Sequence, residues 1–393
     1  MADADMSKAE QPVAAADSRS RLNLSEVSGA FGDLGTLIPF VAAYLAVVKL
    51  DPTGVLVAFG VAYIAVGVIY RTPLGVQPMK AIGTVAVSQS IPIALLTPAT
   101  VQAAGIVTGV IWIFLAVTGL ARRVAAIVPR QVTVGIVMGL GISLMLGGIG
   151  LMAKAWPVAA VLLAASLALL GRRNFLAMVL LLGAGIVLAF AQDPALAAKF
   201  AATQVGIRLP NVGFTEIGWK ELWVGATLLA LPQVPLTLGN AMIATVEQSN
   251  RLFPDRAVTE PRIALSTGLM NLWSAALHGV PLCHGAGGMA GHVQFGARTG
   301  LAPIIIGGLL LLSGLFFADA VALFFQVFPP AVLGVILFLA GAQLALANCD
   351  LGHAKHQRFI ALTTAALAIW HVGAAFVFGL LLDQALKRKW IRI

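Results

Sequence analysis

The sequence predicts an all-α polytopic membrane protein with 14 transmembrane segments in a 7+7 inverted repeat, and three observations carry the prediction. The first is composition. Of 393 residues, 59% are hydrophobic and 10% charged, whereas a soluble chain carries about 25% charged residues. The second is the placement of charge. Of the 25 Lys and Arg residues, 19 fall in loops on one side of the expected segments, five on the other, and Lys80 lies inside a segment. That asymmetry puts both termini in the cytoplasm. The third is internal likeness. VPRQVTVGIVMGLGISL at 128–144 matches FPPAVLGVILFLAGAQL at 328–344, with glycines at 141 and 341, and TPLGVQPMKAIGTVAV at 72–87 matches VPLCHGAGGMAGHVQF at 280–295. Each half holds an odd number of segments, so the two halves run in opposite directions across the membrane.

The first seven segments are expected at 29–48, 54–70, 79–95, 100–120, 131–151, 155–171 and 174–191. Each run approaches the roughly 20 apolar residues that span a bilayer. Lys49, Arg71, the trio Arg122, Arg123 and Arg130, then Lys154, then Arg172 and Arg173 mark the turns between them. The gap at 192–221, with Asp193, Lys199, Arg208, Asn211 and Glu216, is the only long loop expected. The second seven follow at 222–246, 263–280, 284–297, 301–318, 321–347, 357–370 and 371–386. Residues 1–22 read as a disordered cytoplasmic tail, polar and without the apolar run of a signal peptide. The net charge of +9 resides in topology-setting loops, so no nucleic-acid partner is expected, and Cys283 and Cys349 make no disulfide framework.

Two segments break the helical pattern at corresponding places. Pro73, Gly75 and Pro78 interrupt the third; Pro281, Gly285, Gly287 and Gly288 interrupt the tenth. Irregular backbone survives in lipid only where protein shields it or it lines a cavity, and paired broken segments point to a transporter's binding site. Each reads as an extended entry followed by a half-helix. A helix start offers unpaired N–H groups and a partial positive charge, so two starts facing each other make a cradle for a small oxyanion. Glycine lets the backbone approach a ligand, Gln77 can donate, and Lys80 adds a full charge. Close helix packing is the other use of such glycines. Thr36 in GAFGDLGTLIPF and Gln233 in LPQVPLTLGN flank the site as further donors. Asp33 would repel an anion, so it is read first as a structural partner, pairing with Lys80 or capping backbone N–H groups, and second as a proton carrier. His284 is the first proton-carrying candidate because imidazole titrates near neutral pH. The spacing of His278, Cys283, His284 and His292 matches no metal motif. No nucleotide-binding or hydrolase pattern is present, so the chain is not read as an enzyme.

GAFGDLGTLIPF, QPMKAI and PLCHGAGGMAGHVQFGARTG together resemble the molybdate transporter family, a branch related to the sulfate permeases in the sulfate and uracil permease-like superfamily. The resemblance implies a core domain over 23–121 and 213–320 and a gate domain over 122–212 and 321–393. It implies an oxyanion held between Gln77, Met79 and Lys80 on one side and His284, Gly285, Ala286, Gly287 and Gly288 on the other, with Thr36 and Gln233 beside them. The function expected is secondary active import of molybdate by alternating access as a proton symport. A sulfate transporter on the same scaffold and an anion channel are the alternatives. Molybdate, with sulfate or tungstate in its place, protons and the lipid bilayer are the expected partners, and a homodimer is left open. No cofactor or metal is expected, and the expected location is a bacterial inner membrane.

Overall fold

The computed structural model describes residues 23–88, 95–169, 174–203, 205–214, 217–346, 351 and 354–391. The expected tail at 1–22, Cys349 and parts of the expected segments at 79–95, 155–171 and 321–347 lie outside the described residues.

Nearly all of the described chain is helical. α1 (Leu24–Ala30) leads through a tight turn at Phe31–Asp33 into α2 (Leu34–Ala43) and a wide π turn at Tyr44–Val48. α3 (Pro52–Tyr70) starts on Pro52, whose missing N–H costs nothing there, and stops at Arg71, held left-handed at φ 55°. β1 (Val76–Pro78) precedes α4 (Lys80–Ser88). α5 (Pro98–Val117) begins with a reciprocal cap between Thr97 and Thr100, and the short α6 (Leu120–Ile127) follows. Next come α7 (Arg130–Met152), α8 (Trp156–Leu169), α9 (Asn174–Gln192) and the small loop helix α10 (Leu196–Ala201).

The second half opens with one long bent run, α11 (Trp219–Val224), α12 (Leu231–Thr237) and α13 (Thr245–Leu252), joined by π turns at Gly225–Ala230 and Leu238–Ala244. α14 (Glu260–Ala276), β2 (Leu282–His284), α15 (Ala286–Gln294) and α16 (Leu301–Phe316) follow. The chain ends with α17 (Ala318–Val327), α18 (Pro330–Leu346), α19 (Lys355–Trp370) and α20 (Val372–Lys387). Among the described residues, Pro52–Tyr70, Pro98–Val117, Arg130–Leu169 and Trp219–Leu252 are each long and apolar enough to cross a membrane alone.

The expected segment at 321–347 is two helices. α16 and α17 meet at a 93° bend, and α17 ends at Phe328 ahead of the Pro329–Pro330 pair. Proline disfavours helix in the residue before it and cannot donate within one. ADAVALFFQV is apolar enough to pass for part of a span, which is why composition alone misreads it.

Three helix pairs dominate the packing: α7 with α18, α3 with α16, and α5 with α14. All three cross on glycine. At the α7–α18 crossing, a Cβ on Gly141 would lie 2.5 Å from Gly341 O, and one on Gly148 would lie 2.6 Å from Gly334 O; the reverse substitutions meet the same distances. Helix association in lipid rests on such close backbone approach, because the bilayer supplies no hydrophobic drive between helices. Gly141→Leu is expected to destabilise the protein by about 1–3 kcal/mol through overpacking. A lowered Tm in detergent would register it; an unchanged Tm would contradict the crossing.

A separate apolar cluster joins Phe40, Ala81 and Leu236 to Val132, Ile136, Val137 and Leu140 of α7 and to Leu337 and Leu344 of α18. The start of α4 therefore abuts the α7–α18 pair.

Candidate functional site

β1 and β2 pair antiparallel, with Val76 opposite His284, Gln77 opposite Cys283 and Pro78 opposite Leu282. Two three-residue strands would be unstable alone, but here each is buried throughout and its backbone finds partners inside the protein. Met79 N–H donates to Pro281 O at 2.8 Å. Asn271 of α14 stands in for a third strand: its Nδ2 donates to Leu282 O at 2.6 Å and its Oδ1 accepts from Leu282 N–H at 3.1 Å. Ser274 donates to Val280 O at 2.6 Å. The ribbon satisfies its backbone inside the protein, as an apolar surround demands. Beyond it α4 and α15 begin.

The two helix starts are not equivalent. α15 has Gly285 as an extended N-cap with no capping side chain. Its first internal bond is Met289 N–H to Gly285 O at 3.2 Å, and no described residue accepts from the N–H groups of Ala286, Gly287 or Gly288. Gly287 is exposed, and a Cβ there would meet no atom within 4 Å. In α4, by contrast, Ala81 N–H donates to Gln233 Oε1 at 2.8 Å. Gln233 Nε2 donates to Thr237 at 2.9 Å, so Gln233 is a helix cap with both ends engaged rather than an idle donor.

Lys80 is 6% exposed, and no described residue forms an ion pair or hydrogen bond with its ammonium. The expected Asp33–Lys80 pair is not formed. Asp33, 3% exposed, instead accepts from Gln77 Nε2 at 2.6 Å and Tyr63 OH at 3.0 Å. Hydrogen bonds satisfy the carboxylate without a salt bridge, while Lys80 acts on it and on Cys283 through space. Glycines make the approach: a Cβ on Gly288 would strike Asp33, and one on Gly285 would overlap Gln77 Oε1.

His284 sits on the ribbon face opposite Gln77 and Cys283, as strand alternation requires. Its Nδ1 lies 3.2 Å from Gly75 O, and its Nε2 lies 2.7 Å from Ser266 Oγ. The carbonyl makes Nδ1 an N–H donor, while the partner of Nε2 is the Ser266 hydroxyl, which accepts from Tyr70 OH at 2.8 Å and lies 3.1 Å from Ile263 O. The ring ties the ribbon to the helices through both of its nitrogens. Met79 is buried with its N–H committed to the ribbon. Thr36 lies on α2, its side chain outside the described residues. Among the described residues no three His, Cys, Asp or Glu side chains gather as a metal site would need.

Sequence reasoning missed Tyr63, Ser266 and Asn271. Each is a polar residue inside an apolar run, a signal that points to a partner or a function, but each meets its partner on a different element of the fold.

The fold is mostly helical and is shared with solved membrane transporters. It resembles the murine anion transporter Solute Carrier 26 family member A9 in its inward-facing state, with a TM-score of 0.66 and 12% identity over 95% of this chain and 70% of that one. It likewise resembles the transmembrane domain of the cyanobacterial bicarbonate transporter BicA, with a TM-score of 0.56 and 16% identity over 92% and 96%. The family described as "Molybdate transporter of MFS superfamily" matches residues 25–144 and 225–344, and the chain belongs to that family. Molybdate transporter 2 of Arabidopsis thaliana is 32% identical over 417 aligned residues, covering 92% of this chain and 87% of the relative. The protein is a multi-pass membrane transporter and not an enzyme.

Proposed function

We propose that the protein imports molybdate as a secondary active transporter and binds the dianion at the start of α15. The carrying observation is the run of three amides, Ala286 to Gly288, with no acceptor among the described residues. It is joined by the buried Lys80 of the other half-helix, which has no ion pair or hydrogen bond among the described residues. A helix start favours an anion, and an unpaired buried charge is retained where function needs it. The substrate follows from the family and its named relatives.

The same proposal covers the transport cycle. Fourteen spans form a 7+7 inverted repeat with broken helices at the third and tenth. Supporting it, the family description matches two stretches of equal length, 25–144 and 225–344, and the ribbon joins the two broken spans. The core (23–121 and 213–320) moves against the gate (122–212 and 321–393) and carries the site from one side to the other, with both termini cytoplasmic. Importing a dianion against a negative interior costs about 2.3 kcal/mol per charge per 100 mV, so uphill uptake needs protons moving with it. His284 is fully hydrogen-bonded, which favours Asp33 as the proton carrier.

Uptake of labelled molybdate into proteoliposomes tests the reading. Uptake should rise when the outside is made acid, tungstate should compete well and sulfate poorly. Uptake indifferent to the pH gradient would reject the coupling; equal competition by sulfate would favour a sulfate transporter.

A further inference from the structure

The geometry points to Gln77 as a proton-controlled amide switch: protonation of Asp33 turns the Gln77 amide away from the carboxyl group and toward the bound anion. The inference rests on the anion site proposed above and supplies the part that ties a proton to it.

Gln77 is fully buried, and its two ends are unequally served. An ionised carboxylate has only acceptors, so Nε2 is the end that meets Asp33, at 2.6 Å. Oε1 is left with no partner among the described residues. It lies against Gly285, where a Cβ would overlap it, and Asn240 Nδ2 lies 3.4 Å from that same Cβ position. An orphaned buried carbonyl is costly, and this one stands beside three amides that await an anion. In this state the site is set against its substrate: a dianion entering it would meet the negative end of the Gln77 carbonyl and a carboxylate behind it.

One proton corrects both faults. Placed on Asp33 it makes a carboxylic acid with an O–H donor, and that donor needs an acceptor. The terminal torsion of glutamine is broad and roughly two-fold, so a half-turn presents Oε1 to the Asp33 hydroxyl. The same half-turn swings the two N–H donors of Nε2 toward Gly285 and the amides of Ala286 to Gly288. Tyr63 continues to donate to the second Asp33 oxygen, 3.0 Å away. The only bond made is O–H on Asp33; the proton comes from water with the anion and leaves with it.

Four titratable side chains face Asp33: Tyr63 from α3, Lys80 from α4, Cys283 from β2 and His292 from α15. Lys80 reaches Asp33 only through space and becomes the counter-charge of the oxyanion when the site is filled. His292 is the competing proton acceptor. Its Nδ1 lies 2.7 Å from Gly29 O, while Nε2 is buried and without a partner among the described residues.

Calorimetric titration of molybdate into the purified full chain, in two buffers of different ionisation enthalpy, counts the protons. The wild type should take up one proton per molybdate, and its Kd should weaken roughly tenfold per pH unit above the Asp33 titration. Asp33→Asn carries an amide that can donate to Gln77 Oε1 without a proton, so its binding should be flat with pH and release no buffer heat. His292→Gln should keep the wild-type proton count. The switch is overturned by molybdate binding without proton uptake in the wild type, by wild-type pH dependence in Asp33→Asn, or by loss of proton uptake in His292→Gln. Absence of molybdate binding at every pH would overturn the anion site itself, a distinct result.

Discussion

Lys80→Met is expected to abolish molybdate uptake while raising the Tm of the protein. The two effects come from one fact. The ammonium is buried, and among the described residues it has neither an ion pair nor a hydrogen bond. An unpaired charge taken from water destabilises the fold, and replacing it by an apolar side chain of similar length relieves that cost. Asp33 keeps its bonds from Gln77 and Tyr63 in the variant, so no partner is stranded. The transport defect comes from the lost counter-charge. Opposite unit charges about 4 Å apart attract by about 4 kcal/mol at an effective dielectric of 20, about a thousandfold in affinity. Molybdate at 100 times its Kd should stabilise the wild type by about 2.7 kcal/mol and leave Lys80→Met unmoved. A variant that transports at the wild-type rate, or that melts lower and still responds to molybdate, would remove Lys80 from the site.

What could be read from the chain, and what could not, follows the range of the forces involved. Pro73, Gly75, Pro78, Pro281 and Gly285 state locally that helix cannot continue, and the structure has extended backbone there. The glycine pair 141 and 341, aligned from sequence, meets across the α7–α18 crossing. Lys80 stood out because a charge in an apolar run is costly wherever the chain folds. The partners of polar groups were not legible in the same way. Asp33 had Lys80, Gln77 and Tyr63 within reach, and which of them it meets depends on how four elements cross. Gln233 reads from sequence as a donor to the anion, and its partner Ala81 lies 152 residues away in sequence. The partners of His284 were hidden for a simpler reason. Once the ribbon pairs Gln77 with Cys283, strand alternation turns His284 to the other face, but that pairing joins segments from opposite halves of the chain. α17 escaped notice because its residues are as apolar as a spanning helix and only the two prolines after it mark its end.

Two neighbouring glycines should respond in opposite ways, and the contrast locates the anion. At Gly287 a side chain would enter open space, since no heavy atom lies within 4 Å of its Cβ position. Gly287→Val should therefore fold normally, with a stability within about 0.5 kcal/mol of wild type, as for a substitution away from packed neighbours. The added isopropyl group would stand in front of the amides of Ala286, Gly287 and Gly288, which have no acceptor among the described residues, and molybdate uptake should fall at least about a hundredfold, the loss of about 2.7 kcal/mol of binding. At Gly288 the Cβ would strike Asp33 and lie 2.9 Å from Gln77 Nε2. Gly288→Ala should destabilise the protein by about 1–3 kcal/mol and lose transport through the disrupted carboxylate. Thermal melts and uptake measured on the same preparations separate the cases: normal Tm without uptake at 287, lowered Tm without uptake at 288. Wild-type uptake by a well-folded Gly287→Val protein would mean that the anion does not approach the start of α15, and the site would have to be sought elsewhere in the core.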